Sequence, residues 1–207
     1  MNLDPGYGET PITPDEASAL TARAREIFGD QPNKADLFEV EQAIADEVSI
    51  ALQSQIVEGQ LVLKDLLGDA FLRALHAKLY GDLWTWAGIY RHRELSIGID
   101  PAYIATEMRA SLQNIEYRWD HTSDWTAREL GIAVHAETVR IHGFVDGNGR
   151  VTRLLADLVF LAAQEMDSLF ESYDWEVDKK QYIALLKQYD VSRDPKPLAE
   201  FIPVIQM

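Results

Sequence analysis

The sequence predicts one mostly helical domain with a short β-hairpin. Three observations point there: apolar residues recur at three- and four-residue spacing through most of the chain, proline and glycine punctuate those runs at cap positions, and only residues 89–99 have the alternating, β-branched texture of strands. With 207 residues, 47% of them hydrophobic, the chain can close a substantial core. An N-terminal helical segment, 1–62, is expected to lie against a core, 63–207, as one compact unit.

Residues 1–14 hold Pro5, Gly6, Gly8, Pro11 and Pro14 and read as an irregular lead-in. Thr13-Pro14-Asp15-Glu16 offers an N-cap with proline at the first helical position, so a helix is expected from there to about Phe28, before Gly29-Asp30-Gln31-Pro32. A second begins near Asp36 and runs to about Val57, with Val40, Ala43, Ile44, Val48, Ala51 and Leu52 on one face and Gly59 as its stop. Asp69 to Tyr80 carries Phe71, Leu72, Leu75 and Leu79 and ends at Gly81. After the aromatic stretch Trp84–Gly88, Ile89–Ile99 is the expected hairpin. Helices return at Pro101–Trp119, with Ile104, Met108, Leu112 and Ile115 on one face, and at Thr126–Ile141. The helix from about Gly149 to Gln164 is apolar nearly all round and should be central and buried. Helices near Lys179–Tyr189 and Pro197–Ile205 complete the chain.

Composition excludes several classes. There is no cysteine, so disulfides and thiolate metal sites are ruled out, and five scattered histidines lack zinc spacing. The N-terminus lacks the order of a signal peptide, and the most apolar run, Leu154 to Ala163, is too short to span a bilayer. A soluble, cytoplasmic protein is expected. The formal charge of −15 argues against direct binding of nucleic acid or acidic membranes, both of which require a cationic surface.

Chemistry concentrates in Ile141-His142-Gly143-Phe144-Val145-Asp146-Gly147-Asn148-Gly149-Arg150-Val151-Thr152-Arg153. Gly147-Asn148-Gly149 permits positive φ, so successive N–H groups can line a concavity for anionic oxygens. The helix that follows aims its positive end at the same place. Arg150 and Arg153 share a face of its first turns, and guanidinium forks suit phosphate oxygens. Asp146 would repel such an anion unless Mg²⁺ stood between them. His142 has the pKa range of a general base at neutral pH. Each piece alone has an ordinary reading as a turn or a solvated pair, but the joint spacing points to phosphoryl or nucleotidyl transfer. A dinucleotide fingerprint fails, because Thr152 stands where a third glycine is needed, and no Gly-Lys-Ser/Thr P-loop occurs.

The pattern His-x-Phe-x-Asp-Gly-Asn-Gly-Arg-x-x-Arg resembles the signature of the Fic (filamentation induced by cAMP) family, with Gly143 where the family usually has proline. The resemblance implies an all-α, Fic-type helical fold with a short β-hairpin flap, and an enzyme that moves AMP from ATP, its co-substrate, to a Tyr, Thr or Ser hydroxyl of a target protein. It also implies roles. His142 would be the base, Asp146 the magnesium ligand, Gly147, Asn148 and Gly149 the anion hole, Arg150 the holder of the phosphates and Arg153 the partner of the γ-phosphate. The Doc-like, phosphorylating branch differs within the Gly-Asn-Gly-Arg segment. Ser96-Ile97-Gly98-Ile99 is similar to the flap that pairs with a target's backbone as an added strand.

Some relatives inhibit themselves through Ser/Thr-x-x-x-Glu-Gly/Asn, whose glutamate pairs with the second signature arginine. Ser54-Gln55-Ile56-Val57-Glu58-Gly59 fits that pattern, which makes Glu58 a candidate brake on Arg153. In toxin–antitoxin members a separate small antitoxin chain supplies that glutamate. Two alternatives stay open: a low-turnover nucleotide-binding regulatory or interaction module, and removal of AMP by the same site with Glu58 activating water.

Overall fold

The computed structural model describes residues 12–165 and 169–206, so the lead-in expected over 1–14 lies outside the described residues up to residue 11. Among the described residues the chain is mostly helical, with one two-stranded antiparallel pair. Helix α1 (Pro14–Ser18) opens on a capping box: Thr13 accepts from the Glu16 N–H while the Glu16 carboxylate takes the Thr13 N–H. The single helix expected to Phe28 is broken, and α2 (Ala22–Phe28) starts afresh at the Thr21 cap. Between them Leu20 leaves the helix to bridge Trp84, and the Thr21 N–H donates to Leu83. Tertiary pairing overrides helix continuation there.

Helix α3 (Lys34–Val57) buries Leu37, Glu41, Leu52 and Ile56, whereas Ala43 and Ala51 of the expected face are exposed. Its inward stripe is therefore rotated from the apolar periodicity and includes a carboxylate. A short α4 (Leu63–Leu66), absent from the expectations, precedes α5 (Asp69–Tyr80), which buries Leu72, Leu75, His76, Leu79 and Tyr80. The hairpin expected at 89–99 is not formed; the segment is an irregular loop. Its hydrogen bonds run outward, from the Arg91 N–H to Gly143 and from the Ile99 N–H to Ile141, instead of across a ladder.

A 3-10 turn at Pro101–Tyr103 leads into α6 (Ile104–His121), which buries the expected Ile104, Met108, Leu112 and Ile115. Helix α7 (Ala127–Ile141) begins on a Thr126–Glu129 capping box, and α8 (Asn148–Ala163) buries Val151, Leu155, Leu158, Val159 and Leu161. Beyond them come β1 (Glu171–Tyr173), α9 (Lys179–Ser192), α10 (Lys196–Phe201) and β2 (Val204–Gln206). The closing helix expected to reach Ile205 stops at Phe201, because Pro203 disfavours helical backbone at Ile202. The chain then pairs β2 with β1 in antiparallel register, Tyr173 opposite Val204.

Helices α7 and α8 pack side by side at the centre. Against α8 lie α3, α4 and α5, while α6, α9 and α10 cover α7. This arrangement places the α7–α8 turn, residues 142–147, where α3, α5 and the 89–99 loop converge. No helix among the described residues is long and apolar enough to cross a membrane.

Candidate active site

His142 is the C-cap of α7 and sits in left-handed backbone, φ 54° and ψ 60°, with its N–H still donating to Thr138. For a non-glycine residue that conformation costs about 1 kcal/mol or more and persists only where the surroundings over-determine it. The surroundings do so: the Arg91 guanidinium donates to the His142 carbonyl at 2.7 Å, and Gly98 packs against its Cβ. Burial holds the imidazole pKa below its ordinary value, the nearby Arg91 charge adds to this, and the Val139 carbonyl and Asp146 oppose it. The ring is therefore neutral at pH 7 and able to accept a proton. Its Nδ1 is buried with no hydrogen-bond partner among the described residues, so Val139 acts on it as a dipole rather than an aligned acceptor.

The loop beyond His142 is anchored from beneath. Phe144 is fully buried and stacks on His76, with ring centroids 3.7 Å apart. His76 accepts the Gly88 N–H on Nδ1, so its Nε2–H donates to the Asp146 carbonyl at 3.1 Å. Burial lowers the His76 pKa to about 4, which keeps this tautomer neutral. Asn148 accepts the Phe144 N–H and donates to the Phe144 carbonyl, at 2.9 and 2.8 Å. Its side chain therefore braces the loop from a buried position, and Asn148 also lines the hollow described below, together with Gly147 and Gly149.

Gly147 is the N-cap of α8 at φ 73°, and a Cβ there would fall 2.5 Å from the Tyr80 ring. Only glycine fits. Gly149, by contrast, lies within the helix, and a Cβ on it would meet nothing within 4 Å. The positive φ expected of the glycines thus belongs to Gly147 alone, and Gly149 contributes open space. The first hydrogen bond of α8 runs from Val151 to Gly147, so the N–H groups of its first turn are left facing outward. With His142, Asp146, Arg150 and Arg153 they line a hollow of about 220 Å³. Asp146 is exposed at its mouth; one carboxylate oxygen takes the Gly147 N–H at 2.7 Å and the other has no partner among the described residues. An unpartnered carboxylate oxygen at the mouth of the hollow is the kind of hard ligand that Mg²⁺ takes alongside phosphates and water.

The two arginines differ. Arg153 has no hydrogen bond or ion pair among the described residues. Arg150 is ion-paired to Glu41 of α3 and lies over the Tyr80 ring, 5.0 Å from its centroid. Glu41 is itself buried and accepts from the Trp84 indole at 2.6 Å. A larger cavity of about 870 Å³, walled by Leu37, Phe38 and Trp84, opens from Asp146 and Arg150 toward α1 and α3.

The structure does not bring Glu58 to Arg153. Glu58 is the exposed C-cap of α3, accepts from Gln60 at 2.7 Å, and with Ser54 borders a groove beside Leu161, two turns along α8 from Arg153. Gly59, at φ 71°, is a helix stop. Ser96, Ile97, Gly98 and Ile99 do lie against the base, through Gly98, but as a loop and not a strand. Sequence reasoning missed Glu41, His76 and Arg91. The only available signal was a polar residue on an otherwise inward face, as for His76 between Leu75 and Leu79.

Residues 67–160 match the family model described as Fic/DOC family. Among solved structures, the chain is similar to the BepC protein of Bartonella tribocorum, determined with bound AMPPNP: TM-score 0.60, 14% identity, covering 84% of this chain and 89% of that one. It is also similar to the N-terminal Fic domain of a Bep effector from Bartonella quintana with bound ADP, at TM-score 0.60 and 15% identity, covering 84% and 87%. A Fic domain containing signaling protein from Bacteroides thetaiotaomicron aligns at TM-score 0.58 and 23% identity, over 78% of this chain and 62% of that one. These likenesses show that the chain has a Fic-type fold, within which residues 67–160 match the Fic/DOC family model.

Proposed function

We propose that this protein is a magnesium-dependent AMP-transferase that moves AMP from ATP to a hydroxyl side chain of a target protein. The observation that carries the reading is the convergence of the neutral His142, the Asp146 carboxylate, the outward N–H groups of α8 and two arginines on one hollow. Neighbours of the same fold with AMPPNP and ADP bound support a nucleotide as the occupant. The phosphates would lie against the first turn of α8, with Arg150 and Arg153 offsetting their charge. The cavity beside Phe38 and Trp84 has room for the nucleoside. A target hydroxyl attacks the α-phosphorus and passes its proton to His142; the new O–P bond forms as the bond to the β-phosphate oxygen breaks, and pyrophosphate leaves. Asp146 would hold the magnesium, which when bound neutralises phosphate charge. The loop at 96–99 is the proposed docking surface for the target.

Incubation with α-labelled ATP tests the reading: the label should appear on the protein itself or on a lysate protein, and His142→Ala should abolish it. Absence of transfer with intact binding would favour the second reading, a nucleotide-binding regulatory module of low turnover. The Glu41–Arg150 pair is the observation on that side, since it occupies a cation the phosphates need.

A further inference from the structure

We propose that Arg91 is a positioning residue that locks the docking loop onto the base and so sets where an acceptor hydroxyl stands relative to His142. This role deepens the AMP-transfer reading and rests on it for its catalytic consequence, while the lock itself is a property of the fold.

Arg91 is 2% exposed, and among the described residues no carboxylate stands within ion-pair distance of it, Asp100 and Glu94 acting on its charge only from farther off. Its guanidinium instead donates to three carbonyls: Nε to His142 at 2.7 Å, Nη2 to Ile99 at 2.6 Å and Nη1 to Arg93 at 2.9 Å. Two of these belong to the docking loop and one to the base. The Arg91 N–H donates to the Gly143 carbonyl at 2.9 Å, and the Ile99 N–H reaches Ile141 at 3.3 Å, so the loop also brackets His142 through the backbone on both sides. Gly98 closes the contact at φ 95°; a Cβ there would stand 2.6 Å from the His142 Cβ and 2.7 Å from Arg91 Nη2.

Burying an unpaired cation is expensive, and an apolar side chain of the same length would fill the space at lower cost if filling were all that mattered. What only arginine supplies is a rigid planar fork that satisfies three divergent acceptors at once; an ammonium group is a single point donor. Because the 89–99 segment lacks a ladder of its own, this fork is what ties its far end to its beginning. The loop that would receive the target and the imidazole that would take its proton are thereby held as one unit.

The test compares Arg91→Met, Arg91→Lys and Gly98→Ala with the wild type in three measurements: calorimetry of ATP with magnesium, label transfer at saturating ATP, and amide hydrogen exchange. In Arg91→Met, affinity for ATP should stay within about threefold while the transfer rate falls about 100-fold, since a misplacement near 1 Å has that effect on positioned reactions. The Ile99 amide should lose protection while α8 amides keep theirs. Arg91→Lys should recover part of the rate, and Gly98→Ala should repeat the loss with Arg91 intact. Wild-type transfer together with wild-type protection at Ile99 in Arg91→Met overturns the proposal. If that variant also loses α8 protection, Arg91→Lys and Gly98→Ala decide in the same way. A wild-type protein that binds ATP but labels nothing overturns the AMP-transfer reading instead; protection at Ile99 then settles the lock alone, standing if it is lost in Arg91→Met and falling if it is kept.

Discussion

The Glu41 carboxylate on α3 is paired with the Arg150 guanidinium at the start of α8, across 109 residues of chain. Glu41 is fixed on its other side by the Trp84 indole, so the pair is a fitted contact between α3 and the signature helix. Any phosphate that uses Arg150 competes with it.

Glu41→Gln keeps an acceptor for Trp84 and removes the charge. ATP affinity should rise about tenfold or more, the scale of one charge-assisted hydrogen bond. Glu58→Gln should change nothing, because Glu58 is exposed and turned toward Gln60. Calorimetry on both variants checks this; a gain from the Glu58 variant alone would restore the brake expected from the Ser54–Gly59 pattern.

The two glycines of the turn should respond oppositely. Gly147→Ala forces a side chain at φ 73° into the Tyr80 ring and should cost more than about 2 kcal/mol, seen as a lower Tm. Gly149→Ala meets open space within a helix, so it should raise stability by about 0.5–1 kcal/mol while filling part of the hollow and weakening ATP binding. Equal effects on Tm would contradict the assignment of Gly147, and not Gly149, as the left-handed glycine of the turn.

Burial raises the Asp157 pKa to about 7, against the Trp175 indole, the Tyr173 backbone and Arg153, which lower it. Between its ordinary value near 3.8 and 7 the folded state holds a proton that the unfolded chain has released, so this group subtracts stability as pH rises through that window. Asp157→Asn keeps an acceptor for Trp175 and removes the penalty. Its stability advantage should be absent near pH 4 and should plateau above pH 7 at on the order of 1 kcal/mol or more, read as a higher Tm. A difference independent of pH would show that Asp157 titrates normally.

His142 should make transfer persist into mild acid. Its pKa lies below the usual value of about 6.5, so the acid limb of the rate should have its midpoint below that pH. In Arg91→Lys, which keeps the positive charge, the midpoint should move little even as the rate falls. A limb above 6.5 would mean that the imidazole is not held neutral by its surroundings.

The signature turn was legible because its residues are contiguous and their spacing is itself the geometry: base, carboxylate, left-handed glycine and the arginine face of α8 all emerge from thirteen positions. Helices α5 and α6 were legible because their buried apolar residues recur at three- and four-residue spacing along one stripe. The bracing residues were not. Arg91, His76 and Glu41 reach their partners across 51, 70 and 109 residues, and nothing local marks a polar side chain as inward-facing. The alternating texture of 89–99 suggested strands, but a ladder needs a partner, and Arg91 supplies hydrogen bonds that end the need for one. In α3 the inward stripe includes a carboxylate, Glu41, which apolar periodicity passes over, and Pro203 ends the expected closing helix ahead of strand β2.

The most direct test of the central claim is calorimetric titration of ATP with magnesium into the Glu41→Gln protein, in which the competing carboxylate has been removed. Saturable one-site binding that weakens at least about tenfold when Arg150 or Arg153 is also replaced by alanine is the predicted result. Absence of binding, or binding indifferent to both arginines, would contradict it.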